Sequence, residues 1–164
     1  MLCSFNKTRI GVNTRMRSLL GFTGNLPMKG EKVVCTFNQH GYNFMNGEQG
    51  IVIGYDTVED SEREDDDESG MLIEIKSLTD GKVRKVKFNP LSFDHDFDVR
   101  TEAMKSVGGF DFGYALTVHK SQGSEWPNVL VIEEIMRGND YAKMMYTAIT
   151  RAITRLTIIR DSKS

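Results

Sequence analysis

The stretch Tyr114-Ala115-Leu116-Thr117-Val118-His119-Lys120-Ser121-Gln122-Gly123-Ser124-Glu125 decides how this chain is read. Tyr114 to Val118 has the composition of a short buried strand, and it ends abruptly in hydrogen-bonding side chains, a cation, a glycine and a carboxylate. Open α/β sheets place their ligands at strand ends of this kind. Thr117, His119, Lys120 and Ser121 can donate to phosphate oxygens, Gly123 lets backbone approach a ligand, and Glu125 can accept from a sugar hydroxyl. Taken one at a time, each is equally well explained as part of a turn.

Downstream, Val129 to Ile132 reads as a second buried strand and Leu156 to Ile159 as a third. Between them a helix is expected around Asp140 to Ala152, with Tyr141, Met144, Met145, Ala148, Ile149 and Ala152 on one face. Upstream, Leu2 to Phe5 is a short apolar stretch. A helix follows from Lys7, with Val12, Met16, Leu19 and Leu20 on one face, Asn6 placed to cap it and Gly21 to end it. Strands separated by crossovers and a helix predict a mostly parallel α/β sheet.

The middle of the chain changes period. Val33, Cys35 and Phe37 alternate, Asn46-Gly47 is a tight-turn pair before Gly50 to Tyr55, Met71, Ile73 and Ile75 alternate again, and Asp80-Gly81 precedes Val86 and Phe88. This is the pattern of a small antiparallel sheet or barrel. The expected architecture is one α/β domain of residues 1–28 and 93–164, interrupted by an inserted β barrel at 29–92.

Composition excludes other classes. With 164 residues, 39% apolar and 27% charged positions and three prolines, the chain is neither disordered, collagenous nor membrane-spanning. Lys7 and Arg9 interrupt the N-terminus before an export signal can form, and Cys3 and Cys35 are too few and too distant for a secreted scaffold, so a reducing cytoplasm is expected. The formal charge of −2 conceals a division. Residues 56–68 carry a net −8 and the remainder +6; the first 30 residues hold five cations and no acid, and residues 137–163 hold six cations against two acids. The acidic run is expected to be a solvated loop. The two basic ends suit a polyanion, although scattered solvated charge accounts for the same count.

Several chemistries are absent. Gly24-Asn25-Leu26-Pro27-Met28-Lys29-Gly30 imitates a phosphate-binding loop but lacks its Gly-Lys-Ser/Thr ending, and the one Gly-Lys pair, Gly81-Lys82, sits in a hairpin before Val83. Val129-Leu130-Val131-Ile132-Glu133-Glu134 imitates a Walker B strand; with no phosphate loop before it, it reads as a buried strand with a charged exit. Asp94, His95, Asp96 and Asp98 form a local cluster that reads as a charged edge segment beside Phe93 and Phe97; a metal-dependent nuclease would have to use it. No serine lies in a nucleophile elbow.

The order of residues in Tyr114 to Glu125, together with Tyr146-Thr147-Ala148-Ile149-Thr150-Arg151-Ala152, closely resembles motifs V and VI of superfamily 1 helicases, in the branch that includes RecD and Dda. Residues 3–20, with Asn6-Lys7-Thr8 and Asn13, resemble the motif IV region of that branch. Lys29 to Cys35 followed by Asn43 to Gly50 resembles the start of its inserted SH3-like barrel. The resemblance implies a second RecA-like motor domain, without the Walker A and B motifs of the first, in which ATP and Mg²⁺ are bound by the complete helicase and not by this chain alone.

Roles follow by position. Arg151 matches the motif VI arginine that reaches the γ-phosphate as an arginine finger, a task suited to a permanently charged, planar fork of donors. Gln122, Gly123 and Glu125 match nucleotide-side positions, with Lys7 or Arg9 as a second cation. Thr117, His119, Lys120 and Ser121 match the part of motif V near the DNA backbone. The resemblance further implies single-stranded DNA and an N-terminal motor domain as partners, protein partners through the barrel, 5′ to 3′ translocation and work in replication or repair. It also implies a bacterial or phage-infected cell and no membrane association. Phe37, Tyr42 and Phe44 either stack on bases or form the barrel core. The competing reading is a stand-alone module that binds single-stranded nucleic acid or a protein without catalysis.

Overall fold

The computed structural model describes residues 1–55, 70–94, 96–106, 108–134 and 140–160, so the acidic run 56–68 and His95 lie outside the described residues. The elements run β1 (Leu2–Cys3), α1 (Asn6–Leu19), β2 (Lys32–Cys35), β3 (Gln49–Tyr55), β4 (Met71–Ser77), β5 (Val83–Phe88), α2 (Phe97–Ser106), β6 (Phe110–Phe112), β7 (Leu116–Thr117), β8 (Trp126–Ile132), α3 (Asp140–Ile149) and β9 (Ala152–Ile159). They form two compact units, Met1–Leu19 with Tyr114–Ser164, and Leu20–Gly113.

In the first unit, β7-β1-β8-β9 is a parallel sheet, as the sequence predicts for an α/β domain. Leu2 pairs with Leu116 on one side and Val131 on the other, so β1 is central although only two residues long. Leu2, Cys3, Val129, Val131, Met144, Met145 and Ala148 are buried and hold α3 to the sheet. Helix α3 stops at Ile149, which is half exposed, and β9 begins at Ala152, four residues before the strand expected at Leu156. Arg151 therefore sits in the turn between helix and strand.

Helix α1 differs from its sequence reading. Its buried stripe is Arg9, Asn13 and Arg17, spaced by four residues, whereas Leu19 and Leu20 are exposed. At its middle, Asn13 is buried against the backbone of Tyr114 and Ala115, whose amides and carbonyl an apolar side chain could not satisfy. The helix is also capped from a distance. Glu134, at the exit of β8, accepts from the amides of Ser4 (2.5 Å) and Phe5 (3.2 Å) and from the Thr8 hydroxyl, placing a carboxylate at the positive end of α1. Asn6, expected to cap α1, instead accepts from Arg9 Nε at 3.2 Å. Gly21, at φ +81°, follows the helix end as expected. The neighbouring Glu133 accepts from the Tyr141 hydroxyl and pairs with Arg160 Nε at 2.5 Å, so both acids of the Walker B-like strand exit serve structure.

The second unit is a five-stranded antiparallel sheet, β5-β4-β3-β2-β6. Its core is aromatic: Phe44 meets Phe110 edge-on at 5.3 Å, Phe88 meets Phe93 at 5.6 Å, and Phe93 meets Phe112 at 4.9 Å. Phe44 is wholly buried and belongs to this core, while Phe37 is exposed.

The segment read as a charged edge is the start of α2. Asp96 accepts from the amides of Asp98 (2.8 Å) and Val99 (3.2 Å), and Asp94 from that of Asp96 (2.8 Å). These carboxylates satisfy helix-start donors that would otherwise be orphaned. No group of three metal-ligating side chains occurs among the described residues. Helix α2 is docked by a buried Arg100–Asp111 ion pair, and Asp111 also accepts from Phe112 N at 2.7 Å. Because β6 pairs with β2, the antiparallel unit runs from Leu20 to Gly113, and the boundaries expected at 28/29 and 92/93 both fall inside it. No described helix is long and apolar enough to cross a membrane.

Candidate nucleotide and nucleic-acid interface

Strand β7 is positioned by one side chain. The Asn13 amide donates to Ala115 O (3.2 Å) and accepts from Tyr114 N (3.1 Å) and Ala115 N (2.8 Å). Three bonds from one buried amide fix where the strand enters the sheet. Leu116 N to Met1 O and Val118 N to Cys3 O, both 2.9 Å, carry it alongside β1.

Past Val118 the chain turns tightly through His119–Ser121. Two of the expected phosphate-binding side chains take part in making that turn, and Ser121 spends its only donor there. Ser121 is fully buried with its hydroxyl donating to Val118 O at 2.7 Å, and the buried Thr117 hydroxyl accepts from Lys120 N at 3.4 Å. His119 and Gln122 are exposed and Lys120 is half-buried, so these side chains form the solvent face of the turn. Gly123 has φ +83° with no atom within 4 Å of where a Cβ would stand, so the backbone conformation, and not crowding, calls for glycine. Glu125 is exposed just beyond.

Arg151 reaches back to this loop. Its Nη1 donates to Ser124 O (3.2 Å), its Nε to Thr147 O (3.1 Å) and its Nη2 to Thr150 Oγ1 (3.1 Å), while Trp126 N donates to Arg151 O (2.9 Å). The guanidinium thus ties the end of α3 to the Gly123–Glu125 loop. Three of its five N–H groups are used, which leaves one on each terminal nitrogen. The bonds set the plane of the fork without consuming it.

The two further cations separate. Lys7 is exposed on α1, whereas Arg9 is buried beside Cys3, and burial lowers its pKa. Cys3 is itself fully buried; burial first, then the Glu134 carboxylate, pushes its thiol up to about 12, against the opposing effect of Arg9. It is an inert core thiol. Sequence reasoning missed the Glu134 cap and the Asn13 clasp, since each joins residues more than 100 positions apart.

Residues 112–159 match the UvrD-like helicase C-terminal domain. The chain is 40% identical over 83 residues to the ATP-dependent RecD2 DNA helicase of Deinococcus radiodurans, which covers 50% of this chain and 12% of that protein. Among solved structures, the Bacteroides Pif1 helicase in complex with ADP-AlF3 and ssDNA matches with a TM-score of 0.60 at 15% identity, covering 98% of this chain and 39% of that one. The Pif1 helicase from Candida albicans matches with a TM-score of 0.56 at 16% identity, covering 96% and 44%. At these identities the solved structures show the fold, and the chain spans less than half the length of each of these relatives. The match to the UvrD-like helicase C-terminal domain covers the last part of the chain, and the fold of nearly the whole chain is the one seen in these Pif1 helicase structures.

Proposed function

We propose that this chain supplies the second motor domain of an ATP-dependent DNA helicase: the arginine finger and part of the single-stranded DNA track, with no ATPase activity of its own. The observation that supports this best is the Arg151 clasp. A guanidinium anchored by Ser124 O, Thr147 O and Thr150 Oγ1 and still holding two unused N–H groups is preorganised to meet charge developing on a transferred phosphoryl group. Gln122, Gly123 and Glu125 border it on the nucleotide side, and Lys7 is the second cation in preference to the buried Arg9. His119 and Lys120 hold the strand backbone; Thr117 and Ser121 act by keeping the turn in shape.

Magnesium does not fit the described residues. Among the described residues no group of three acidic, histidine or cysteine side chains could hold a metal ion; the metal and the phosphate loop are assigned to the N-terminal motor domain on the resemblance. Alternating closure and opening of the two motor domains moves the strand 5′ to 3′. The antiparallel unit, read as the SH3-like insertion, guides it and is open to protein partners; replication or repair in the cytoplasm is the setting.

The test is ATP hydrolysis. The 164-residue chain is expected to show none, while in the complete helicase Arg151→Ala lowers DNA-stimulated turnover by about 10³-fold or more, within the range of an arginine finger. Turnover by the chain alone that Arg151→Ala abolishes overturns the reading.

A further inference from the structure

Among the described residues four strands end their sheets, β7 and β9 in the parallel sheet and β5 and β6 in the antiparallel one. A sheet edge is a row of unpaired backbone donors and acceptors, and proteins blunt it by keeping the strand short or by charging it. Strand β7 is two residues long, β6 is three, and β5 carries Arg84, Lys85 and Lys87. Strand β9 has neither protection. It runs for eight residues, Ala152–Ile159, with Arg155 as its one charged side chain and no proline or glycine. Its Ile153 is 65% exposed and its Ile159 50%.

Alternation along β9 defines what this edge offers. Ile159 O accepts from Glu133 N at 2.9 Å, on the side of β8. Alternate residues turn their backbone groups to the same edge of a strand, so Thr154, Leu156 and Ile158 turn theirs to the free edge. Side chains alternate between the faces. Ile153, Arg155, Thr157 and Ile159 therefore share one face of the sheet, and all four are exposed.

We propose that β9 pairs antiparallel with β9 of a second copy of this chain, about a two-fold axis at Leu156. A continuous sheet sets residues of the same face opposite one another, so the axis must pass through a residue. Two registers pair nearly all of the strand, centred on Arg155 or on Leu156. The first sets Arg155 against Arg155 of the second copy, and like charges directly opposite are destabilising. The second sets Ile153 against Ile159 and Arg155 against Thr157, so each exposed isoleucine is covered and no cation meets a cation. In this register Leu156 exchanges two backbone hydrogen bonds with its counterpart, and Thr154 does the same with Ile158 of the second copy. Arg151 precedes the paired segment. At about 3.3 Å per residue the two Arg151 positions lie roughly 33 Å apart, so pairing leaves each free for the contacts proposed above.

The test is sedimentation equilibrium of the 164-residue chain from about 10 to about 500 μM, with circular dichroism confirming that each variant is folded. A monomer–dimer equilibrium is expected, with Kd on the order of 100 μM, as suits an interface below about 1,000 Å². Thr157 is exposed and faces Arg155 of the second copy twice across the axis. Thr157→Glu is expected to tighten the dimer about fivefold, and Thr157→Lys to weaken it by as much. Cys3 and Cys35 are both buried, so an introduced cysteine reports the register. Leu156→Cys should form a disulfide-linked dimer on mild oxidation. Arg155→Cys should not, because its counterpart lies diagonally at about 8 Å, beyond the Cα reach of about 7 Å. A chain that stays monomeric throughout overturns the proposal. So does a dimer that Thr157→Glu and Thr157→Lys shift in the same direction, or one that Arg155→Cys cross-links as readily as Leu156→Cys.

Discussion

Replacing Asn13 by alanine tests whether one side chain sets the position of β7 and hence of everything after it. The amide is 3% exposed and makes three bonds to the backbone of Tyr114 and Ala115. Alanine leaves two backbone N–H groups and one carbonyl without partners in a site closed to water. A net hydrogen bond contributes about 1 kcal/mol, and an orphaned buried group costs about 1–3 kcal/mol, so a loss of about 3 kcal/mol is expected. Because the chain has two compact units, a single unfolding midpoint is a poor measure, and amide exchange read at individual residues is the better assay. At about 1.4 kcal/mol per decade, the Tyr114 and Ala115 amides should exchange on the order of a hundredfold faster, and those of β4 and β5 should not change. Asn13→Asp separates the contributions: it keeps the acceptor for the two N–H groups, removes the donor to Ala115 O, and should fall between the two. Unchanged protection at Tyr114 and Ala115 in Asn13→Ala would show that β1 alone positions β7.

Glu134→Ala removes the shared acceptor of Ser4 N, Phe5 N and the Thr8 hydroxyl, and should cost about 1–2 kcal/mol with the loss concentrated at the start of α1, visible as faster amide exchange there. Cys3 predicts a pH dependence with a definite sign. Its folded-state pKa, about 12, lies above the ordinary value of 9.0, so the stabilisation is complete below about pH 9 and is lost as pH rises from there towards 12. Denaturant titrations should show an alkaline loss of stability that Cys3→Ala reduces, and the thiol should resist alkylation at pH 8 until the chain is unfolded.

What was legible in the sequence divides along a physical line. The parallel sheet, the antiparallel strands and the order of the Tyr114–Glu125 loop could be read because they depend on local pattern: short apolar runs, period-two alternation and turn pairs such as Asp80-Gly81. Helix α2 could not. Its first turn is announced by Asp94, Asp96 and Asp98, but the same residues spell a charged edge, and the feature that decides between them is the buried pair of Arg100 with Asp111 eleven residues on. Likewise Phe44, left open between base stacking and core, is settled by Phe110, sixty-six residues away.

Helix α1 shows the limit most sharply. Amphipathic reading assumes that the buried face is apolar, because burying carbon is the usual reason for a helix to dock. Here the docking surface is the backbone that leads into β7, whose amides and carbonyls must be paired wherever water is excluded. Asn13, at the centre of the buried stripe Arg9, Asn13, Arg17, meets that demand, and Val12, Met16 and Leu19, the residues that look like a core face, lie off the stripe. The consequence extends to function. A helix held by apolar contact can slide by a fraction of a turn at little cost, whereas Asn13 accepts two bonds and donates a third in fixed directions. The strand end carrying His119, Lys120 and the Arg151-bound loop is therefore set by directional bonds, the precision that the proposed phosphate contacts would call for.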